Sequence, residues 1–159
     1  MCRRYSRSKS GTRAIGYAPR NWGESVTLVA AIGLAGVIAP LMLRGSLTRD
    51  VFEQYMEHSV LPELEPGDTL VMDNLSAHKG PRIQQLADQA GIRLVYLPPY
   101  SHDFNPIEQA WSKAKEILRA KGARSWEDLI SAVAEALRKI SRADIIAWMK
   151  HCGWEGSVI

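Results

Sequence analysis

Cysteine is scarce in this sequence: Cys2 and Cys152 stand at opposite ends of 159 residues, with no CxxC pair. That excludes a disulfide framework and a cysteine-based zinc site, and it suits a reducing, cytoplasmic setting. No uninterrupted run of 18 apolar residues occurs, so no membrane-spanning helix is expected. The most apolar segment, Val26 to Leu43, is broken by Gly33, Gly36 and Pro40 and reads as two strands about a turn. The opening MCRRYSRSK is charged but has no apolar stretch behind it, so it is not a signal peptide. Acid is nearly missing from the first third. Glu24 is the only acid before Asp50, against Arg3, Arg4, Arg7, Lys9, Arg13, Arg20, Arg44 and Arg49. A basic first third fits a polyanion such as DNA, and it fits equally well a solvated surface bias.

What is present is an ordinary globular composition, 46% hydrophobic and 23% charged, of a length that suits one domain. Residues 1–22 read as a basic, irregular arm, residues 23–153 as the domain and residues 154–159 as a tail. Ser25 to Leu34 is β-rich, with Val26, Leu28 and Ala30 on one face. Gly36 turns the chain into a second apolar run, Val37 to Leu43. Thr48 caps a helix carrying Val51, Phe52, Tyr55, Met56 and Val60 at helical spacing, which Pro62 and the Pro66-Gly67-Asp68 turn end. A short apolar strand, Thr69 to Met72, runs into Asp73. Helix Pro81 to Ala90 is closed by Gly91, and strand Ile92 to Leu97 follows. Helices Asn105–Ala120, Trp126–Ile140 and Ala143–Lys150 complete the chain. Strands alternating with helices predict an α/β sheet with parallel pairing, in which TLVM and RLVYL are central.

The chemistry concentrates at two acids. Asp73 sits at the carboxyl end of a buried strand, where α/β proteins place ligands, although Asp-Asn also forms turns. In Asn105-Pro106-Ile107-Glu108 the residues fall at N-cap, N1, N2 and N3, so Glu108 reads as a capping-box acid. A carboxylate on the first turn of a packed helix is also stiffly placed and able to face Asp73. Mg²⁺ takes hard oxygen ligands, and two such ions ~4 Å apart can drive phosphodiester chemistry. His58, His78, His102 and His151 lack zinc spacing, and His78 stands close enough to Asp73 to line its crevice. Lys113, Lys115, Arg119 and Lys121 fall on the side of their helix away from its apolar stripe, available to phosphates or simply to water.

VMDNLSAHKG followed by LVYLPPYSHDFNPIEQAWSKAK resembles the catalytic domain of DDE transposases, in the bacterial insertion-sequence branch of the mariner-like superfamily. Thirty-four residues separate Asp73 from Glu108, as in that family. His102 stands where the family usually has Pro, and Phe104 where it usually has Leu. The resemblance implies an RNase H-like mixed sheet flanked by helices and Mg²⁺- or Mn²⁺-dependent strand cleavage and transfer at insertion-sequence ends. It implies Asp73 and Glu108 as the second and third acids and as metal ligands, with Asp103 outside the triad. His78, Lys79, Lys113, Lys115 and Arg119 are the candidate DNA contacts. DNA, another copy of the chain or an upstream-frame product of the same element are the implied partners, and the nucleoid is the implied location.

The family's first acid lies on a first strand whose projected position here falls near Arg3 and Arg4, and no Asp precedes Asp50. The sequence therefore leads to an amino-terminally truncated domain, inactive alone, with its first central strand missing or replaced. Met1 to Lys9 would substitute for that strand poorly, or a partner segment would fill the gap. A non-catalytic remnant that binds DNA or the full-length transposase is the competing function. A nuclease of the same fold that uses Glu24 as third ligand is a further one.

Overall fold

The computed structural model describes residues 8–13 and 25–154. The expectations placed on Met1–Lys9 as a substitute strand and on Glu24 as a ligand fall largely or wholly outside these residues.

The apolar segment broken by glycines forms the expected hairpin, β1 (Val26–Gly33) and β2 (Gly36–Arg44), paired antiparallel. Gly36 has φ 138°, a backbone that β-carbon sterics deny to other residues, and this places it at the turn. Val29 pairs with Leu41 and Ala31 with Ile38, so β2 carries one residue more than β1 at this point. Ala39 takes up the extra length with φ 48°. This bulge presents the Ala39 carbonyl, which accepts a 2.8 Å hydrogen bond from the Tyr55 hydroxyl. Pro40, beside it, has no N–H to give, and a bulge tolerates that.

Helix α1 (Arg49–Tyr55) opens at Thr48, whose side chain accepts from the Val51 N–H. It continues without a break through a π-helical turn, Met56–Val60, and a 3₁₀ turn, Leu61–Glu63. Then come β3 (Thr69–Met72), α2 (Pro81–Ala90) and β4 (Arg93–Tyr96). β3 and β4 pair in parallel, Met72 opposite Tyr96, as a strand–helix–strand crossover requires. Gly91 ends α2 in the left-handed conformation. α3 (Pro106–Lys121), α4 (Trp126–Arg138) and α5 (Arg142–His151) follow, capped by Asn105, Ser125 and Ser141.

Two cores result. In the first, Phe52, Tyr55, Met56, Val60, Ile83 and Ala87 are buried with Val29 and Leu41 of the hairpin against them. In the second, Ala110, Ile140, Ile145 and Met149 pack on Ile32 and Val37. The hairpin is thus covered on both faces, by α1 on one and by α3 and α5 on the other. Its alternation, Val26 and Leu28 one way and Val29 the other, follows from that.

Among the described residues the two strand pairs form separate two-stranded ladders, β1–β2 and β3–β4, and no strand joins them.

Candidate functional site

Asp73 follows β3 directly, and the ladder reaches it: the Leu97 N–H donates to the Met72 carbonyl at 2.8 Å. Its Oδ1 accepts from the Leu75 N–H at 3.0 Å, so the turn-forming role of Asp-Asn is realised. The same oxygen lies 2.7 Å from His78 Nδ1. That approach is off the ring's N–H direction, and Nδ1 is buried without an aligned hydrogen bond. His78 is held at ring and backbone. Its ring packs tilted on Phe52 with centroids 4.2 Å apart, and its backbone carbonyl accepts from the Tyr96 hydroxyl at 3.0 Å. Side-chain exposure is 16% for His78 and 39% for Asp73, a largely covered imidazole beside an accessible carboxylate. Next to them Asn74 Oδ1 is buried with no partner.

Glu108 is placed by the cap of α3. Asn105 Oδ1 accepts from the Ile107 N–H at 3.4 Å, as expected of an N-cap. The expected capping box does not form. The Asn105 N–H donates to the His102 carbonyl at 3.0 Å, in the 3₁₀ turn His102–Phe104, and has no need of the Glu108 carboxylate. Glu108 is therefore spare. Its Oε1 lies 3.9 Å from His102 Nδ1, and the pair is open to water, at 43% and 70% exposure.

Asp73 and the cap of α3 meet at one cleft of about 370 Å³ at the carboxyl ends of β3 and β4. Asp73, Asn74 and Leu75 form one wall, and Pro98, Pro99, Tyr100, Ser101, His102 and Asn105 the other. Glu108 stands one turn into the helix that Asn105 opens, beside His102. Asp73 and Glu108 offer carboxylate oxygens, the hard donor type that Mg²⁺ or Mn²⁺ takes. Among the described residues no group of three His, Cys, Asp or Glu side chains gathers at metal-holding distance.

The basic candidates separate. Lys79 projects over the Tyr96 ring at 5.9 Å, close to the cleft. Lys113 is half-buried and bound to Asp144 of α5 at 2.7 Å, and Lys121 to Glu135 of α4 at 2.6 Å. Lys115 lines a second groove, of about 420 Å³, with Trp111 and Leu118 of α3 and Val26, Leu28 and Met42 of the hairpin. The basic side expected on α3 is exposed at Lys115 and Lys121, while Lys113 and Lys121 are engaged by acids of α5 and α4. Arg119 is exposed.

Three site residues went unnoticed in the sequence. Phe52 and Tyr96 hold His78, but one lies on α1 and the other on β4, so only the parallel register reveals the arrangement. Trp154 donates its indole N–H to the Phe104 carbonyl at 2.8 Å and ties the end of α5 to the cleft loop.

Comparison with known proteins follows the geometry. The family model described as DDE superfamily endonuclease matches residues 1–130. No curated protein matches the chain in sequence. Among solved structures, the Mos1 strand transfer complex aligns with a TM-score of 0.75 at 16% identity, over 96% of this chain and 48% of that one. The Mos1 mariner paired-end complex with Mn aligns at 0.72 and 16% identity, over 94% and 48%. A pre-cleavage Mos1 transpososome aligns at 0.73 and 14% identity, over 95% and 49%. The chain thus spans about half the length of these transposase chains and shares their RNase H-like fold. By the family match over most of its length, the chain belongs to the DDE superfamily endonucleases.

Proposed function

We propose that this chain is the catalytic-domain portion of an insertion-sequence transposase, with Asp73 and Glu108 as two of three metal-binding carboxylates. One observation carries the reading: Asp73 and the helix start bearing Glu108 open onto a single cleft at the ends of parallel strands. Leu75 and His78 fix Asp73 in place, so its free oxygen has a defined direction. Glu108 has no structural hydrogen bond to give up and can turn toward Asp73. A bound Mg²⁺ or Mn²⁺ would supply Lewis-acid stabilisation of negative charge on a phosphodiester. Lys79, exposed beside the Tyr96 ring, offers a cation to a phosphate backbone.

The chain by itself is inactive on this reading, because only Glu24 precedes Asp50 and no Asp stands where the family's first acid is expected. The third carboxylate comes from an upstream-frame product of the same element or from a second chain. The same observation favours a second reading, a non-catalytic remnant that binds DNA or the full-length transposase.

Nicking of a supercoiled plasmid in Mn²⁺ separates these readings. The isolated chain is expected not to nick. Nicking by it that Asp73→Ala abolishes would overturn the requirement for an upstream acid. A fusion with the upstream-frame product is expected to nick and to lose this with Asp73→Ala or Glu108→Gln. An inert fusion would favour the remnant.

A further inference from the structure

Six large apolar side chains are exposed among the described residues, and Leu75, Tyr100 and Phe104 lie on the two loops that lead from Asp73 and into Glu108. Tyr100 is the extreme case, 97% exposed on the wall of the cleft. Its backbone is costly as well: φ is 61°, a left-handed conformation that is an outlier for a bulky side chain. The loop imposes this. Pro98 and Pro99 stiffen the approach, and immediately afterwards the Phe104 N–H closes on the Ser101 carbonyl at 3.2 Å and the Asn105 N–H on the His102 carbonyl. The ring packs on nothing, so folding gains nothing from it there. Strain kept at the rim of a ligand cleft marks a position set for a ligand.

We propose that the Tyr100 ring is a stacking platform for an unpaired nucleobase of the DNA strand whose phosphate enters the cleft. This rests on the functional reading above. An aromatic face takes any base, which suits an enzyme that must process flanking sequence of many kinds. Leu75, exposed on the opposite wall, adds apolar surface to the same cleft. A protein partner would fit the ring alone, but it would not account for a rim that continues into oxygen donors and Lys79.

The test uses the full chain and a duplex with a short single-stranded 3′ overhang carrying 2-aminopurine, in EDTA. The wild-type chain is expected to quench the 2-aminopurine and to prefer the overhang to a blunt duplex. Tyr100→Ala is expected to weaken overhang binding about tenfold, to abolish the quench and to leave blunt-duplex binding unchanged, since a stacked base contributes on this scale. Tyr100→Phe should retain both signals. Tyr100→Gly, which relieves the backbone, should fold at least as well as wild type and bind like Tyr100→Ala. Equal overhang affinity for wild type and Tyr100→Ala overturns the platform while leaving the transposase reading intact. A wild-type chain that binds neither DNA overturns both.

Discussion

The two carboxylates of the cleft are held in opposite ways. Asp73 is fastened: the Leu75 amide binds one oxygen, His78 lies against it, and Phe52 and Tyr96 hold His78. Glu108 is loose, its carboxylate 3.9 Å from the exposed His102. The difference teaches how such a site divides its work. The strand-end acid sets the position of the site. On the proposed reading the helix-borne acid closes on a metal ion, and ordering it costs side-chain entropy that the ion must offset.

The comparison breaks most visibly at Phe52. Its ring is buried in the first core and is the surface on which His78 rests. Phe52→Ala is expected to lower unfolding free energy by about 3–5 kcal/mol, read from the denaturant midpoint. At Tyr96 the effect is smaller. Tyr96→Phe removes the hydroxyl from the His78 carbonyl and should cost roughly 1 kcal/mol. It should also raise hydrogen exchange in residues 73–79 and leave residues 102–108 unchanged.

The helix start sharpens the contrast from the other side. Asn105→Ala removes a working cap and should cost about 1 kcal/mol. Glu108→Gln should change stability by less than about 0.5 kcal/mol, because that carboxylate caps nothing. A loss at Glu108 as large as that at Asn105 would restore the capping box.

Asp144 is the counterexample, a carboxylate committed wholly to structure. It accepts from Ser141 and Lys113, and the Lys113 ammonium and these hydrogen bonds lower its pKa from 3.8 to about 2. A lowered carboxylate pKa stabilises the fold above the unfolded value and ceases to do so as pH falls through the folded one. Acid titration of the unfolding midpoint between pH 4 and pH 2 should therefore show a drop that Asp144→Asn flattens.

Much of this was legible in the sequence, because its cues are local. Gly36, Thr48, Gly91 and Asn105 each act within a few residues, and the elements begin and end where those residues put them. Asp73 at the end of TLVM was legible for the same reason. The non-local parts were not. Whether Glu108 caps depends on where the Asn105 amide goes, and the His102–Phe104 turn decides that. Lys113 seemed free because Asp144 lies far along the chain. The bulge at Ala39 became visible only with the Tyr55 hydroxyl bound to it.

The central claim is that Asp73 and Glu108 share one metal site. Paramagnetic broadening of backbone amides by Mn²⁺, read by NMR on the full chain, tests it most directly. Signals of residues 73–75 and 105–108 are expected to fade together at the same Mn²⁺ concentration. Asp73→Asn or Glu108→Gln alone should protect both segments. Broadening of one segment without the other, or broadening that neither substitution relieves, would contradict the shared site.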